Sequence, residues 1–361
     1  MFKVNNIVSQ FNLDATVNSI EPYGNGLINS TFLITAINKH NSTKRFILQK
    51  INCNVFPNGD SLIENVEKVT AHLRSVCNDP RKVLSLVPTH NLSNHITDSD
   101  GSIWRVFNFV ENSICLEHIE NYDDFYECGF GFGNFHHMLK DFPVNTLVEV
   151  IPDFHNTPKR FEALKKAVSG DICGRAASVR NEIEFFMSEA SFYQILYDNY
   201  AAKKLPLRVT HNDTKSNNIL LDATTRKALC VIDLDTVMPG FSVNDFGDAI
   251  RFGASTAAED EKDLSKVSLS LELFNAYTKG FITGCGDCLC KDEIALLPEG
   301  AKMMTLECGM RFLTDYLQGD TYFHTTYKEH NLVRARTQIE LVKDMNRKWL
   351  QMKDIVKSSI E

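Results

Sequence analysis

The chain has 361 residues, 43% hydrophobic and 23% charged, a soluble globular profile too long for one ordinary core. Its net charge of -8 argues against a nucleic-acid partner, since phosphate-backbone binding leaves a basic footprint, but a nucleotide needs only a few local cations and metal ions. No apolar run approaches the ~20 residues of a membrane helix, residues 1–13 lack a signal-peptide layout, and the ten scattered cysteines fit free thiols in a reducing cytoplasm.

The first ~110 residues predict strands with one helix. Residues 31–37 (TFLITAI) and 45–51 (RFILQKI) flank a turn, NKHNST. Residues 61–77 place Leu62, Val66, Val69 and Leu73 on one helical face, with Ser61 available as a cap. Residues 95–98 and 103–110 flank DSDG, a hairpin signal. After Glu111 the periodicity becomes helical, first through Phe125, Cys128, Phe132, Phe135 and Leu139, then over 181–200. A strand-and-loop island at 207–236 interrupts it, and helices follow at 264–281, 301–317 and 332–356. The expectation is an α+β chain in two lobes, a small β-rich one over 1–111 and a larger, mainly helical one over 112–361, with a cleft between them. Cys285, Cys288 and Cys290 cluster in sequence, but no fourth ligand follows at zinc spacing.

Chemistry concentrates in VTHNDTKSNNILLD, residues 209–222, and CVIDLDTVMPG, residues 230–240. Apolar runs at 219–221 and 229–232 separated by DATTRK make a hairpin that brings Asp213, Asn218 and Asp233 together. Phosphoryl transfer needs such a set: a carboxylate for the attacking hydroxyl and hard oxygen ligands for magnesium. His211-x-Asp213 with Asn218 five residues on resembles the kinase catalytic loop. Together with VIDLDTVMPG and DFGDAIRFGA, the wording resembles the aminoglycoside phosphotransferase family, and within it the N-acetylhexosamine 1-kinases. The resemblance implies that Asp213 is the base, that Asn218 and Asp233 hold Mg2+, and that His211 braces the loop. The literal Asp-Phe-Gly at 245–247 lies 32 residues after Asp213, past the hairpin, so Asp245 is expected to bond backbone or cap a helix instead. Asp235 is open between substrate, metal and turn-capping roles.

For ATP, Gly24 and Gly26 precede the first predicted strand and can let backbone N–H groups approach phosphate, although Asn29 replaces the third glycine of the usual loop. Lys50 is the candidate for the phosphate-contacting lysine, with Glu64 or Glu67 on the next helix as its partner. Adenine is expected against Phe109 and Glu111, held by backbone groups.

On the acceptor side Glu307, Arg311 and Asp315 recur every four residues, which suits either an exposed ion-pair ladder or a substrate arginine. RFLTDYLQGDTYF resembles the sugar-kinase branch, where the matching arginine and tyrosine contact the hexosamine. That resemblance implies that Arg311 and Tyr322 bind sugar, and Phe252 is a further candidate, for stacking on a pyranose face. IPDFHNTPKRF, residues 151–161, resembles the same branch, and no physical argument assigns its His155 a role. The function implied is ATP-dependent phosphorylation of the anomeric hydroxyl of GlcNAc or GalNAc. The alternatives are another acceptor on the same fold (an aminoglycoside, choline or homoserine) or a catalytically silent binding protein, against which Asp213, Asn218 and Asp233 together count.

Overall fold

The computed structural model describes residues 2–24, 28–56, 58–119 and 121–360. Helix α1 (Phe2–Val8) precedes strands β1 (Thr16–Pro22), β2 (Ser30–Ile37) and β3 (Thr43–Lys50), helix α2 (Gly59–Val76), and strands β4 (Ile96–Thr97) and β5 (Ile103–Asn108). The strands form one antiparallel sheet in the order β1-β2-β3-β5-β4. Local chemistry sets its turns. Asn38 Oδ1 accepts the N–H groups of His40 and Ser42 between β2 and β3, and Asp98 Oδ1 accepts those of Asp100 and Ser102 between β4 and β5. α2 starts earlier than its apolar stripe suggests, because Asn58 caps it, accepting from the Ser61 N–H at 3.3 Å.

The sheet separates two cores. On one face Phe46, Leu48, Trp104 and Val106 pack with Ile7, Val8 and Phe11 of the N-terminal segment. On the other, Ile103 and Phe107 pack with Leu62, Ile63 and Val66 of α2 and with Phe135, Val209 and Val237 from the second half of the chain. That second core is therefore shared between the sheet and the helical part. Asn65 of α2 adds polar ties across it, donating to the carbonyls of Val148 (2.8 Å) and Val237 (3.0 Å).

Beyond the sheet come β6 (Ser113–Cys115), α3 (Tyr122–Met138), α4 (Thr157–Gly170), α5 (Arg180–Ser188), α6 (Ile195–Ala201) and β7 (Arg208–Thr210). The hairpin β8 (Ile219–Asp222) and β9 (Ala228–Val231), then β10 (Met238–Gly240), lead into α7 (Ser242–Gly253), α8 (Leu271–Cys285), α9 (Lys291–Ala295), α10 (Leu297–Leu317), α11 (His330–Arg347) and α12 (Trp349–Ser358). α3 and α8 touch backbone to backbone: a Cβ at Gly129 would fall on the Tyr277 carbonyl, and one at Gly280 on that of Tyr126.

Two expected long helices are each broken in two. Between α5 and α6 the chain swings Tyr193 inward, where its buried hydroxyl donates to the Phe186 carbonyl at 2.8 Å. At Lys348, between α11 and α12, the ammonium bonds Ser268 Oγ (2.8 Å), the Leu269 carbonyl (2.7 Å) and Asp344 (2.7 Å). α1, β1 and α4 were not expected, although Asn156 followed by Thr157-Pro158 is a cap-and-proline start for α4. All ten cysteines are free thiols. Among the described residues no helix is long and apolar enough to cross a membrane.

Candidate active site

The chain leaves β7 through residues 211–218 and enters β8, and buried carboxylates of α7 hold this loop from behind. Asp245 accepts the His211 N–H at 2.8 Å on Oδ2 and the Asn212 N–H at 2.7 Å on Oδ1, and its own carbonyl accepts from the Thr214 hydroxyl at 2.6 Å. The conspicuous Asp-Phe-Gly is thus a brace inside a helix, bonding backbone and capping nothing. Asp248, one turn on, accepts from the Thr214 N–H at 3.1 Å and is ion-paired to Arg251 at 3.0 Å. His211 is fully buried, with the rings of Phe132 and Phe135 edge-on at 5.4 and 6.1 Å.

Asp213 points into the open side of this loop. Asn218 Nδ2 donates to its carbonyl (2.8 Å) and to its Oδ2 (3.0 Å), while Lys215 Nζ lies 2.8 Å from its Oδ1. Asp233, at the end of β9, adopts a left-handed conformation (φ 58°), uncommon outside glycine, that turns it out of the strand. Asp233 is solvent-exposed, and the protein around it removes part of its carboxylate's hydration. That desolvation, with repulsion from Asp235 and then Asp213, pushes its carboxyl up to about 7. Asp235 is buried and salt-bridged to Arg105 of β5, which is itself 1% exposed, and Asn29 donates to its other oxygen. Asp235, its role open from sequence, ties the sheet to the candidate catalytic hairpin.

The sheet corrects the nucleotide-side expectations. Lys50 stands opposite Ser30 and Trp104, and its ammonium lies 5.7 Å from the Trp104 ring. It is on the face packed toward α1, away from α2 and the cleft. Glu64, one of its two expected partners, pairs with Lys68 at 2.7 Å on the surface of α2, and Glu67 lies on the same helix, away from the face that carries Lys50. The residue facing the cleft is Gln49, whose Oε1 accepts from Arg105 at 3.0 and 2.7 Å. One step along a strand reverses the face, and the cation at this position comes from β5. Arg105 Nη1 is buried with no hydrogen-bond partner among the described residues.

Phe109 and Glu111 follow β5. The Glu111 carboxylate is engaged by Arg45, whose guanidinium lies 4.1 Å from the Phe109 ring centroid, and the Glu111 carbonyl accepts from Arg81 at 3.1 Å. The Phe109 carbonyl and Glu111 N–H make no hydrogen bond among the described residues. An acceptor and a donor two residues apart match the Watson–Crick edge of adenine. Gly24 takes φ 75°, as a loop glycine can; Gly26 lies outside the described residues.

The acceptor side excludes the ion-pair ladder on α10. Glu307 is buried and bonds His155 Nδ1 (2.8 Å) and the Thr157 hydroxyl (2.6 Å). Asp315 is buried and accepts the N–H groups of Thr321, Tyr322 and Phe323 at 2.8–2.9 Å, folding the segment that carries Tyr322. Arg311 lies between them with its guanidinium 5.5 Å from the Phe154 ring, 5.7 Å from Tyr322 and 5.3 Å from Phe323. Its Nη2 lies 3.4 Å from the Tyr322 hydroxyl, and Tyr322 is 65% exposed. Arg160 of α4 is held below the usual arginine range by burial and by the nearby Arg311 charge, and its Nε is buried without a partner among the described residues. Phe252 is half-buried near the end of α7, next to Arg251.

Residues 19–266, more than half of the chain, match the model of a phosphotransferase enzyme family. The chain belongs to this family. Its fold is shared with a microcompartment-associated aminopropanol kinase (TM-score 0.59, 16% identity, 98% of both chains covered). It is likewise shared with an aminoglycoside phosphotransferase from Alicyclobacillus acidocaldarius subsp. acidocaldarius DSM 446 (TM-score 0.64, 12% identity, 98% and 96% covered). A choline kinase from Cryptosporidium parvum Iowa II is similar too (TM-score 0.55, 12% identity, 94% and 93% covered). As a member of this family, the chain is a phosphotransferase.

The residues fit the groups a nucleotide-dependent phosphotransferase uses. An orphaned guanidinium nitrogen of Arg105 suits an anionic nucleotide. The Asp233 carboxyl, raised by desolvation and then by its acidic neighbours Asp235 and Asp213, suits a divalent cation. Among the described residues no three His, Cys, Asp or Glu side chains are set to hold a metal by themselves, and magnesium needs only one or two protein ligands beside phosphate oxygens and water. Candidate site residues to which the sequence assigned no role are Arg105, Gln49, Lys215, Arg160 and His155. Only Lys215 carried a local signal, two positions after the candidate base.

Proposed function

We propose that this kinase transfers the γ-phosphoryl group of ATP to the anomeric hydroxyl of an N-acetylhexosamine, GlcNAc or GalNAc, with Mg2+. The observation that carries the acceptor class is the pair Arg160 and Arg311, close enough to repel each other, beside Phe154, Tyr322 and Phe323. Two cations among aromatic rings disfavour a cationic acceptor such as choline or an aminoglycoside. They suit a neutral ring rich in hydroxyl and carbonyl oxygens, stacked on aromatic faces. Within this reading residues 1–111 bind nucleotide and 112–361 supply catalysis and the sugar pocket.

Asp213 orients the acceptor hydroxyl and receives its proton, with Lys215 and Asn218 fixing the carboxylate's two oxygens. Asn218 and Asp233 would hold magnesium, which when bound neutralises phosphate charge in transfer. Arg105 supplies a fixed positive charge where the sheet meets the hairpin. The Phe109 carbonyl and Glu111 N–H receive adenine. Catalysis is positioning and electrostatics, with no covalent enzyme intermediate.

The test is ATP consumption across a panel of free sugars, choline, ethanolamine and aminoglycosides, with product NMR. Phosphate on the anomeric carbon of a hexosamine is the expected result. Turnover confined to the amines would overturn the acceptor assignment while keeping the family chemistry.

A further inference from the structure

Two histidines hold the backbone of the catalytic loop, and their partners differ in kind. His211 accepts the Asp213 N–H on Nδ1 at 3.3 Å and donates from Nε2 to the Ile232 carbonyl at 2.8 Å. One donor and one acceptor suit the neutral ring. His155 has Nδ1 2.8 Å from Glu307 Oε1 and Nε2 3.1 Å from the Asn212 carbonyl. A carbonyl and an ionised carboxylate can only accept, so both ring nitrogens must donate, and only the imidazolium carries two N–H groups.

The surroundings sustain that charge. Burial opposes it at both partners. It is outweighed at Glu307 by His155, the Thr157 hydroxyl and Arg311, which hold the carboxyl below its usual range. At His155 it is outweighed by Glu307, then by Asp248 and the Asn212 carbonyl, which raise the imidazole above its usual value. The charged groups around the pair are Glu307 and Arg311 from α10, Asp248 from α7 (itself shared with Arg251 and Lys215), and Arg160 from α4. Phe154 covers the ring, its centroid 4.4 Å away.

The connection has a direction. Glu307 lies one helical turn before Arg311, on the helix that forms the acceptor wall. Asn212 immediately precedes Asp213 and sits in a left-handed conformation (φ 64°) that the loop must hold. We propose that His155, as an imidazolium bridging Glu307 and the Asn212 carbonyl, is a positioning residue that sets Asp213 against the acceptor wall. Loss of its second proton frees one of the two contacts, and turnover falls as pH rises through that titration. The role rests on Asp213 being the base; the charge state of His155 does not.

The test has two arms on the full chain. Long-range 1H–15N imidazole spectra of 15N-histidine-labelled protein, with His155 assigned by its absence in His155→Gln, should show two protonated nitrogens at pH 7. A neutral ring there overturns the proposal, even if no further variant folds. In the second arm kcat/KM for the acceptor is followed against pH. Glu307→Gln removes the stabilising charge and should move the alkaline limb down by at least one pH unit, while His155→Gln should abolish that limb and lower kcat. A limb unmoved by Glu307→Gln overturns the positioning role. If Asp213→Asn retained turnover, the base assignment would fail while the spectra still decided the charge.

Discussion

The candidate catalytic hairpin and the antiparallel sheet pose the same problem, which side chains face the proposed site, and they answer it differently. In the hairpin Asp213, Asn218 and Asp233 lie within one stretch whose turns and short strands leave few ways to arrange them. In the sheet Lys50 and Gln49 are adjacent, and only the pairing of Gln49 with Thr31 and Arg105 decides that Gln49 faces inward. Local geometry constrains a loop, whereas a strand's facing is a tertiary decision with a period of two.

The largest expected effect probes the hairpin. Asp213→Asn should lower kcat by about 10²- to 10⁴-fold, the contribution of a positioned general base, with an unchanged melting temperature. Substantial residual turnover would remove Asp213 from the chemistry. The sheet is tested next by Arg105→Met, which leaves Asp235 buried without its cation. Chemical denaturation should show a loss of about 3–5 kcal/mol; a neutral result would mean that the Arg105–Asp235 tie is not what joins the sheet to the hairpin.

Arg311→Ala should raise the acceptor KM by about 10-fold or more, as expected for losing a charged hydrogen bond, with the KM for ATP unchanged. An unchanged acceptor KM would return Arg311 to a surface role. A smaller, graded effect concerns Asp233. Its metal-free carboxyl holds a proton up to about pH 7, and magnesium must displace it. The magnesium concentration giving half-maximal thermal protection with nucleotide should therefore rise as pH falls below 7, by up to about 10-fold per unit for one proton, and level off above it. A pH-independent requirement would remove Asp233 from the metal site. The smallest effect is Lys50→Ala, expected to change stability by no more than about 0.5 kcal/mol and the KM for ATP not at all. A large rise in that KM would reverse the assignment of the two sheet faces.

Strand and helix positions were largely readable where periodicity was strong, as in β2, β5, α3 and α10. The broken helices α5–α6 and α11–α12 were not, because each break is set by a distant partner, the core around Tyr193 or the carbonyls that capture Lys348. On α10 the four-residue spacing of Glu307, Arg311 and Asp315 was visible, yet its natural surface reading failed because His155 and the backbone of 321–323 take the two carboxylates. His155 itself carried no local signal: its partners lie 57 and 152 residues away.

In the sequence by itself, spacing within a few dozen residues was enough for the α+β fold class, for the candidate loop around Asp213, and for the demotion of the conspicuous Asp-Phe-Gly. The tertiary structure alone decided that Arg105 rather than Lys50 supplies the buried cation, that Asp235 joins sheet to hairpin, and that Arg160 and His155 reach the site. Those outcomes depend on strand register and on packing between distant segments, and a one-residue change of facing leaves the amino-acid pattern unaltered while reversing every side chain.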